Sequence, residues 1–343
     1  MRKSVFAVLI SAFLLAFHEG GESTTYIPHD WPETQYDFEN NPLTEEKIFL
    51  GRVLFYDPKF SRDGMISCAS CHSPYNAFTH VDHALSHGVF DSIGTRNSPA
   101  LMNLAWQASF MWDGAINHLD MQALAPISHP DEMASSISEV VDYLNQTDHY
   151  RSLYFQAFQD SAATGELTLK ALSQFMLTMV SSSSKYDQVK NDIASFNLQE
   201  LAGYGLFKTH CNSCHQEPLF STFKFASNGL PVDTILNDLG RFKITNDSSH
   251  LYQFKIPSLR NLAYSFPYMH DGRFKSITEI INHYTTEKEA NLNLAPELQK
   301  PVELTANEKI DLTAFLLTLT DSSFVFNKAF NYPRDFYLNL KKD

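Results

Sequence analysis

Cysteine and histidine occur together in one short motif that appears twice along the chain. The first copy reads CASCH and the second reads CNSCH. All four cysteines of the 343-residue chain lie in these two copies. Thiols and imidazoles bind metals, and paired thiols form redox-active disulfides, so the motif indicates metal or redox chemistry. The six residues are Cys68, Cys71, His72, Cys211, Cys214 and His215.

The C-x-x-C-H spacing is the attachment signature of a c-type haem. Two thioethers join the porphyrin to the chain, and the adjacent histidine reaches the iron as the proximal ligand. One alternative is a tetrahedral zinc site made by the four cysteines, which leaves the two histidines unexplained. A second alternative is a pair of redox disulfides, but that motif prefers a strand-to-helix context. We therefore predict two covalently bound c-type haems, with His72 and His215 as iron ligands.

The composition is that of a globular protein with an acidic surface. The chain is 43% hydrophobic and 19% charged, and its formal net charge is −13. This charge argues against binding to nucleic acid or anionic lipid and is compatible with a basic protein partner. The length predicts about two domains.

The N-terminus has the pattern of a secretory signal. Arg2 and Lys3 precede an apolar run at 5–17 that is broken by two serines. This run is short for a spanning helix, which needs about 20 apolar residues. An uncleaved anchor is the alternative. We expect residues 1–22 to be a signal peptide and the mature protein to be exported to the periplasm, with no other membrane segment.

An internal repeat extends beyond the cysteines. Each half has a G-x-x-L-F sequence before its motif. After the motif each half has P-x-L-x-N-L-A, five further residues and M-[WH]-D-G, and then a similar apolar closing segment. These three parts lie at 51–55, 99–114 and 172–179 in the first half, and at 203–207, 257–272 and 312–319 in the second.

The periodicity of both halves favours helices. Apolar residues recur at helical spacing in 44–55, in 197–207 and in both closing segments, whereas strand alternation is weak. Loops rich in Gly, Pro, Asn and Asp are predicted at 56–67 and 227–250.

These patterns predict a mainly α-helical fold with two tandem cytochrome c-like haem domains and long loops. We place the N-terminal domain at 23–188 and the C-terminal domain at 189–343. The serine run at 181–184 and the polar residues after it form the predicted connector.

The chain resembles the bacterial di-haem cytochrome c peroxidases and their MauG-type relatives. The likeness rests on the two C-x-x-C-H motifs and on RNSPAL, FMWDG, HPDEM, IPSLRNLA and PYMHDG. It implies that the N-terminal haem, bound by His72, meets peroxide. It also implies that the C-terminal haem, bound by His215, takes in electrons. Two irons can store both oxidising equivalents of peroxide when the donor supplies single electrons.

The resemblance also assigns residues between the haems and in the peroxide pocket. Trp112 matches the tryptophan between the haems, which implies an electron relay and is compatible with a large residue at a domain interface. Glu132 matches the catalytic glutamate, which moves a proton between the peroxide oxygens. Gln122 and Pro126 match other pocket positions. Asp131 is the local alternative, and Glu132 taken alone could be a helix-start carboxylate.

The loop after the first motif departs from many peroxidases. In those proteins a histidine caps the first iron, whereas the matching position here is Val89. We therefore predict an open first iron, as in the MauG-type relatives. His80, His83 and His87 lie nearby, and a shifted loop that recruits one of them is the alternative.

The second haem shows another departure. Typical peroxidases place a methionine ligand where this chain has Tyr284, and MauG-type relatives have tyrosine there. A phenolate ligand favours the higher iron oxidation states and lowers the reduction potential. The alternative is an ordinary helix tyrosine, with Met269 or His283 as the ligand.

A calcium ion lies between the haem domains in the family. Asn97 matches its side-chain ligand, and Ser265 and Pro267 match two backbone carbonyl ligands. Oxygen ligands suit Ca²⁺. Asn97 could equally be a turn residue.

We predict an enzyme that reduces hydrogen peroxide to water with electrons from a small redox protein, either a cytochrome c or a copper protein. One alternative is a MauG-type oxidase that acts on a protein or organic substrate through high-valent iron. Another is a non-catalytic di-haem electron carrier, but a carrier needs no pocket acid. The resemblance also allows a homodimer.

Overall fold

The computed structural model describes residues 27–287, 293–300 and 302–340. Within these ranges no helix is long and apolar enough to cross a membrane. The predicted signal peptide at 1–22 lies outside the described residues.

The described residues are mainly helical, which confirms the predicted class. A small antiparallel sheet of two strands, β1 (Phe225–Ala226) and β2 (Phe254–Lys255), pairs Phe225 with Lys255. A π-helical turn spans His283–Glu287. The α-helices are α1 (Glu45–Phe55), α2 (Cys68–Cys71), α3 (Leu119–Gln122), α4 (Leu124–Ser128), α5 (Ile137–Leu144), α6 (Asp148–Phe158), α7 (Gly165–Leu177), α8 (Lys185–Lys190), α9 (Leu198–His210), α10 (Phe242–Thr245), α11 (Ile277–Asn282), α12 (Ala306–Leu317), α13 (Ser322–Val325) and α14 (Arg334–Leu340).

Two helix pairs form the frame of the molecule. In the first half of the chain α1 packs against α7, and in the second half α9 packs against α12. The residues around these two pairs are called the first unit and the second unit. The Thr44 hydroxyl accepts the Lys47 N–H at the start of α1, and the Asn197 side chain accepts the Glu200 N–H at the start of α9. These caps satisfy amides that have no partner within the helix. The helices predicted to open and close each half are confirmed.

Glycine allows the closest approach within each pair. A Cβ atom at Gly51 would lie 1.9 Å from the carbonyl oxygen of Ala171. A Cβ atom at Gly203 would lie 1.9 Å from the carbonyl oxygen of Asp311. Both positions therefore exclude a side chain, which explains the glycine of the repeated G-x-x-L-F sequence.

An asparagine joins each P-x-L-x-N-L-A segment to the closing helix. Asn103 and Asn261 have φ of +53° and +60°, in the left-handed region that asparagine tolerates. The Asn103 N–H donates to the Met179 carbonyl at 2.8 Å, and the Asn261 N–H donates to the Leu319 carbonyl at 3.1 Å. The repeated segments are thereby fixed at the ends of α7 and α12.

The serine connector is buried at its two ends and held by an aspartate. Ser181 and Ser184 are 0% and 1% exposed. The backbone amides of Ser182 and Ser183 both donate to one carboxylate oxygen of Asp321 at 2.9 Å. The junction between the two helix pairs is therefore a fixed contact.

The C-terminal segment returns to the first unit. Phe324, Phe330 and Tyr337 belong to the same hydrophobic core as α1 and α7. The Tyr337 hydroxyl donates to the Val53 carbonyl at 2.8 Å, and the Tyr56 hydroxyl donates to the Phe330 carbonyl at 2.6 Å. This core thus contains residues from both ends of the sequence.

Alanine at Gly203 should destabilise the protein, because its Cβ would overlap the α12 backbone. We expect a loss of about 1–3 kcal/mol, the usual cost of overpacking. The matched control is Gly205→Ala in the same helix, since no atom lies within 4 Å of a Cβ there. That change should stabilise by about 0.5–1 kcal/mol through helix propensity. Urea unfolding followed by circular dichroism measures both, and an equal effect at the two positions would contradict the packing argument.

Candidate haem-binding sites

The first motif lies on a short helix that orients its histidine. α2 contains both cysteines, and the His72 N–H donates to the Cys68 carbonyl at 2.9 Å. The His72 Nδ1 atom lies 2.8 Å from the Phe78 carbonyl. An N–H at Nδ1 makes this hydrogen bond and leaves Nε2 as the metal-binding atom. Burial lowers the pKa of His72 to about 4, which keeps the imidazole neutral.

The second motif repeats this arrangement. The His215 N–H donates to the Cys211 carbonyl at 2.9 Å. The His215 Nδ1 atom lies 3.1 Å from the Pro257 carbonyl and 3.2 Å from the Phe220 carbonyl. Burial lowers the pKa of His215 to about 4. Pro257 is the first residue of P-x-L-x-N-L-A, so this repeated segment holds the ligand histidine.

These sites fit a covalently bound c-type haem. Metal-ligating histidines usually donate their other ring N–H to a carbonyl or carboxylate, as both do here. The four cysteines are unpaired thiols. Among the described residues, no three His, Cys, Asp or Glu side chains form a metal-binding group. The four-cysteine zinc site and the disulfides are therefore not formed.

The predicted peroxide pocket lies beside the first motif. The Glu132 carboxylate lies within electrostatic range of the Cys71 thiol, whose pKa is raised to about 11 by burial and by this charge. Burial, reinforced by Asp131, raises the pKa of Glu132 itself. Asp131 is exposed, whereas Glu132 is partly buried. The Gln122 amide, at the end of α3, lies 3.6 Å from the Met111 sulfur.

The loop at 80–91 is tied to this pocket through its backbone. Val89 is 1% exposed, and its N–H donates to the Glu132 carbonyl at 2.8 Å. The rings of His83 and His87 stack with centroids 3.9 Å apart. His87 Nδ1 lies 3.2 Å from the Asp91 carboxylate. The nearest loop histidine is thus already paired with other side chains.

Trp112 lies where the two units meet. Its indole N–H donates to the Asn97 carbonyl at 2.8 Å, and its carbonyl accepts the Lys255 N–H at 2.7 Å. The Asn97 N–H donates to the His270 carbonyl at 2.7 Å. Asn97 therefore joins Trp112 of M-W-D-G to His270 of M-H-D-G, the equivalent positions of the repeat.

The predicted calcium ligands lie on these same two segments. Asn97 is 5% exposed, and its side-chain amide donates to the Ala84 carbonyl at 3.0 Å. Ser265 and Pro267 lie just before His270, on the segment that Asn97 contacts. The structure thereby brings the two predicted ligand segments side by side.

Tyr284 faces the second motif from the π-helical turn. Burial raises its pKa to about 12, and the Cys211 and Cys214 thiols add to that shift. The Asn228 amide nitrogen lies 3.5 Å from the Tyr284 hydroxyl and 3.4 Å from the Met269 sulfur. Tyr284 and Met269, two of the three candidate ligands, therefore converge. The third, His283, lies with Nε2 3.1 Å from the Asn228 carbonyl.

Comparison with known proteins identifies the family. A sequence model described as di-haem cytochrome c peroxidase matches residues 45–194. The methylamine utilization protein MauG of Methylorubrum extorquens is 37% identical over 295 residues, which cover 84% of this chain and 82% of that protein. This chain belongs to the di-haem cytochrome c peroxidase and MauG family. Membership confirms the resemblance, implies two c-type haems and makes the protein an oxidoreductase.

Other relatives come from both branches of the family. The cytochrome c551 peroxidase of Nitrosomonas europaea is 31% identical over 288 residues, which cover 81% of each chain. A solved MauG-like protein associated with microbial copper homeostasis is 30% identical. Its TM-score is 0.79, and the match covers 90% of this chain and 99% of that one.

An ion-pair network that the motifs do not predict joins the two units of this di-haem peroxidase. The Arg96 guanidinium donates to Asp113 at 2.6 Å and to Asp238 at 2.6 and 2.9 Å. Arg241 donates to the Asp113 carbonyl at 2.9 Å. Arg96 stands in the RNSPAL motif, but its partner Asp238 is 142 residues away and belongs to no motif.

A partly buried lysine beside Trp112 was not predicted either. The Lys255 ammonium donates to the Gln107 side chain at 2.7 Å and to the Ser109 carbonyl at 2.9 Å. Burial lowers its pKa to about 7, against the opposing effect of Asp113. Lys255 directly precedes the IPSLRNLA motif, and this position is the sequence feature that could have singled it out.

The ion pair between Arg96 and Asp238 should make the free energy of unfolding fall at acid pH. Burial favours a raised pKa for Asp238, but the hydrogen bond and charge of Arg96 prevail and hold that pKa well below its usual range. The pair therefore contributes fully above pH about 4, and its contribution is lost as the pH falls below that value. Asp238→Asn should cost about 3–5 kcal/mol at pH 7.

Urea unfolding of both proteins at pH 7 and at lower pH measures this contribution. The difference between wild type and variant should shrink on acidification. Glu166→Gln is the control, because Glu166 pairs with Lys170 on the exposed surface. That variant should match the wild type at each pH, and a constant Asp238→Asn deficit would contradict the linkage.

Proposed function

We propose that this di-haem enzyme reduces hydrogen peroxide to water with single electrons from a small redox protein. The partly buried Glu132 carboxylate beside Cys71 carries this proposal. Peroxide cleavage needs a group that moves a proton between two oxygens, and a carboxylate of raised pKa is suited to it. A pure electron carrier needs no such acid. The exposed position of Asp131 supports Glu132 in this role.

The two halves of the chain have different roles in this proposal. They are tandem haem domains at 23–188 and 189–343, with His72 and His215 as proximal iron ligands. The contacts of Trp112 with Asn97 and Lys255 support its role as an electron relay between them. The packing of 324–340 on the first core adds a second connection between the domains.

Pocket residues handle the proton in the peroxide reaction. A bound haem would supply the iron at which peroxide binds and exchanges electrons. Glu132 accepts the proton from one peroxide oxygen and delivers it to the other, which then leaves as water. The Gln122 amide and Pro126 complete the pocket wall. Burial of Val89 supports an open first iron with no histidine cap.

A MauG-type oxidation of a protein or organic substrate is the second candidate. The position of the Tyr284 phenol, facing Cys211 and Cys214, favours it because a phenolate ligand lowers the potential of the second haem. A low potential makes the reduced, electron-donating state harder to reach. The 37% identity with MauG is a further reason to test it.

The proposed setting of the enzyme is the periplasm, with a cytochrome c or copper protein as donor and a homodimer as one assembly to test. We also propose a calcium ion held by the Asn97 side chain and the carbonyls of Ser265 and Pro267. The hydrogen bond from Asn97 to His270 supports this site by joining the two segments.

Turnover distinguishes the two candidate functions. The wild-type holoenzyme is mixed with hydrogen peroxide and a reduced cytochrome c, and donor oxidation is followed at the donor band. Rapid turnover supports the peroxidase. Slow donor oxidation, with a long-lived peroxide-oxidised spectrum, supports the MauG-type oxidase. A haem spectrum that does not change on addition of peroxide would contradict both proposals.

Glu132→Gln should slow the reaction with peroxide by about 10²–10⁴-fold, because the amide cannot accept a proton. Stopped-flow absorbance in the haem Soret band measures this rate, and haem content should be unchanged. Asp131→Asn is the matched control and should stay near the wild-type rate. In the wild type the rate should fall as the pH drops through the raised pKa of Glu132, since only the carboxylate is a base. Equal losses in both variants would reject the assignment.

Tyr284→Met should raise the reduction potential of the second haem, because a thioether stabilises Fe(II) relative to a phenolate. Spectroelectrochemical titration measures both haem potentials. Met269→Leu is the control, and it should leave the second potential near that of the wild type. A large shift in Met269→Leu with none in Tyr284→Met would assign the ligand to Met269.

The diferric protein should give one high-spin and one low-spin signal in low-temperature EPR. The high-spin signal belongs to an open first iron, as the burial of Val89 and the pairing of His87 with Asp91 suggest. His87→Ala should leave both signals unchanged. Two low-spin signals, with one converted to high spin in His87→Ala, would instead identify a histidine cap.

A further inference from the structure

Five tyrosines form a continuous chain along one side of the first core. Tyr56 contacts Tyr332 edge-to-face at a centroid distance of 5.7 Å, and Tyr332 stacks on Tyr337 at 5.0 Å with an interplanar angle of 9°. The ring of Phe336 joins Tyr337 to Tyr150, with centroid distances of 5.3 and 5.5 Å respectively. Tyr150 contacts Tyr143 at 5.7 Å. Contacts this short allow single electrons to pass between rings.

A buried carboxylate lies at the inner end of this chain. Asp57 is 1% exposed, and it accepts a hydrogen bond from the hydroxyl of Tyr150. Its other oxygen accepts the Lys59 N–H at 2.9 Å. Burial raises the pKa of Asp57 despite these hydrogen bonds, so the carboxylate is a stronger base than usual.

The inner end also borders the first haem motif. Cys68 packs against the same core, and its thiol lies within electrostatic range of Asp57. The Tyr56 hydroxyl donates to the Phe330 carbonyl, and the Phe330 ring lies 5.4 Å from that of Phe78. The Phe78 carbonyl is the hydrogen-bond partner of His72, as described above.

The outer end reaches solvent. Tyr332 is 48% exposed, whereas Tyr56, Tyr150 and Tyr337 are 9%, 0% and 8% exposed. The chain therefore connects the surroundings of Cys68 with the exposed phenol of Tyr332. Packing alone would explain buried hydrogen-bonded tyrosines, but it does not require the stacked exposed ring.

Tyrosine oxidation needs a proton acceptor, because a phenol that loses an electron becomes a strong acid. Among these rings, Tyr150 has a carboxylate acceptor in place. This pairing lowers the potential at which the first electron leaves, compared with a buried phenol that has only a carbonyl partner.

We propose that the tyrosine chain, defined by Tyr56, Tyr332, Tyr337, Tyr150 and Tyr143, carries oxidising equivalents from the first haem site to the surface, where Tyr332 oxidises a phenol. This inference rests on the proposed function, which supplies hydrogen peroxide as the oxidant. The route differs from that through Trp112, which leads to the second unit.

The electrons and protons balance in each step. Tyr150 gives one electron to the peroxide-oxidised haem site and its O–H proton to Asp57. Tyr337 and then Tyr332 pass one electron inward, and Tyr150 recovers its proton from Asp57. Tyr332 ends as a neutral radical after releasing its proton to water. An external phenol then gives Tyr332 one hydrogen atom, and two such cycles consume both oxidising equivalents of one peroxide.

The test is radical trapping in the holoenzyme. Peroxide is added in the presence of the spin trap 2-methyl-2-nitrosopropane, and adducts are located by mass spectrometry. We expect the main adduct on Tyr332. Tyr332→Phe should remove it, and Tyr150→Phe should reduce it several-fold and lengthen the life of the oxidised haem spectrum.

Tyr204→Phe is the matched control. Its hydroxyl also donates to a carboxylate, Glu217, at 2.8 Å, but it lies on the second unit outside the chain. It should leave the Tyr332 adduct unchanged. Tyr332→Phe alters only an exposed residue, so this variant should fold even if Tyr150→Phe does not. An adduct absent from Tyr332, or equally abundant in folded Tyr150→Phe, would overturn the inference.

A second arm separates failure of the chain from failure of the proposed function. If the wild-type haem spectrum responds to peroxide but Tyr332 is not labelled, only the chain is rejected. If the spectrum does not respond, flash-generated ruthenium(III) tris-bipyridine replaces peroxide as the oxidant. Oxidation of the ferrous haem should then slow several-fold in Tyr332→Phe and Tyr150→Phe but not in Tyr204→Phe. Equal rates in all four proteins would reject the chain independently.

Discussion

The hydrogen bond between each proximal histidine and a backbone carbonyl organises the molecule. His72 and His215 are directed by carbonyls in the loops that follow their motifs. Those loops are held by the P-x-L-x-N-L-A segments, which Asn103 and Asn261 fix to the ends of the closing helices. The closing helices are placed by backbone contacts that only glycine permits. Both C-x-x-C-H histidines are therefore oriented by a series of backbone contacts.

The two units share this arrangement but carry different residues at equivalent positions of the repeat. The repeat puts Trp112 in one half and His270 in the other, and Asn97 joins the two. His270 stacks on Phe254 at 3.7 Å. Around this junction the Arg96 ion pairs and the partly buried Lys255 supply charge in a poorly hydrated region, where electrostatic effects are strong. The potential of any electron relay at Trp112 depends on that surrounding charge.

Proton chemistry also differs between the units. The first has a carboxyl of raised pKa, Glu132, beside its motif, and the second has a phenol, Tyr284, in the corresponding space. A carboxylate of raised pKa suits the proton transfer of bond cleavage, whereas a phenol suits iron ligation. This asymmetry agrees with one peroxide-reacting centre and one redox-storage centre.

The sequence by itself determined the haem attachment, the repeat and the opening and closing helices, because each is encoded by residues close together in the chain. C-x-x-C-H requires only one helical turn, and G-x-x-L-F marks a contact that excludes a side chain. Tertiary structure alone decided which distant residues meet. Arg96 forms an ion pair with Asp238, and the segment after α12 packs on the first core. Tyr332 and Tyr337 stack beside Tyr150. No local spacing predicts these contacts, since they depend on how two similar units pack against each other.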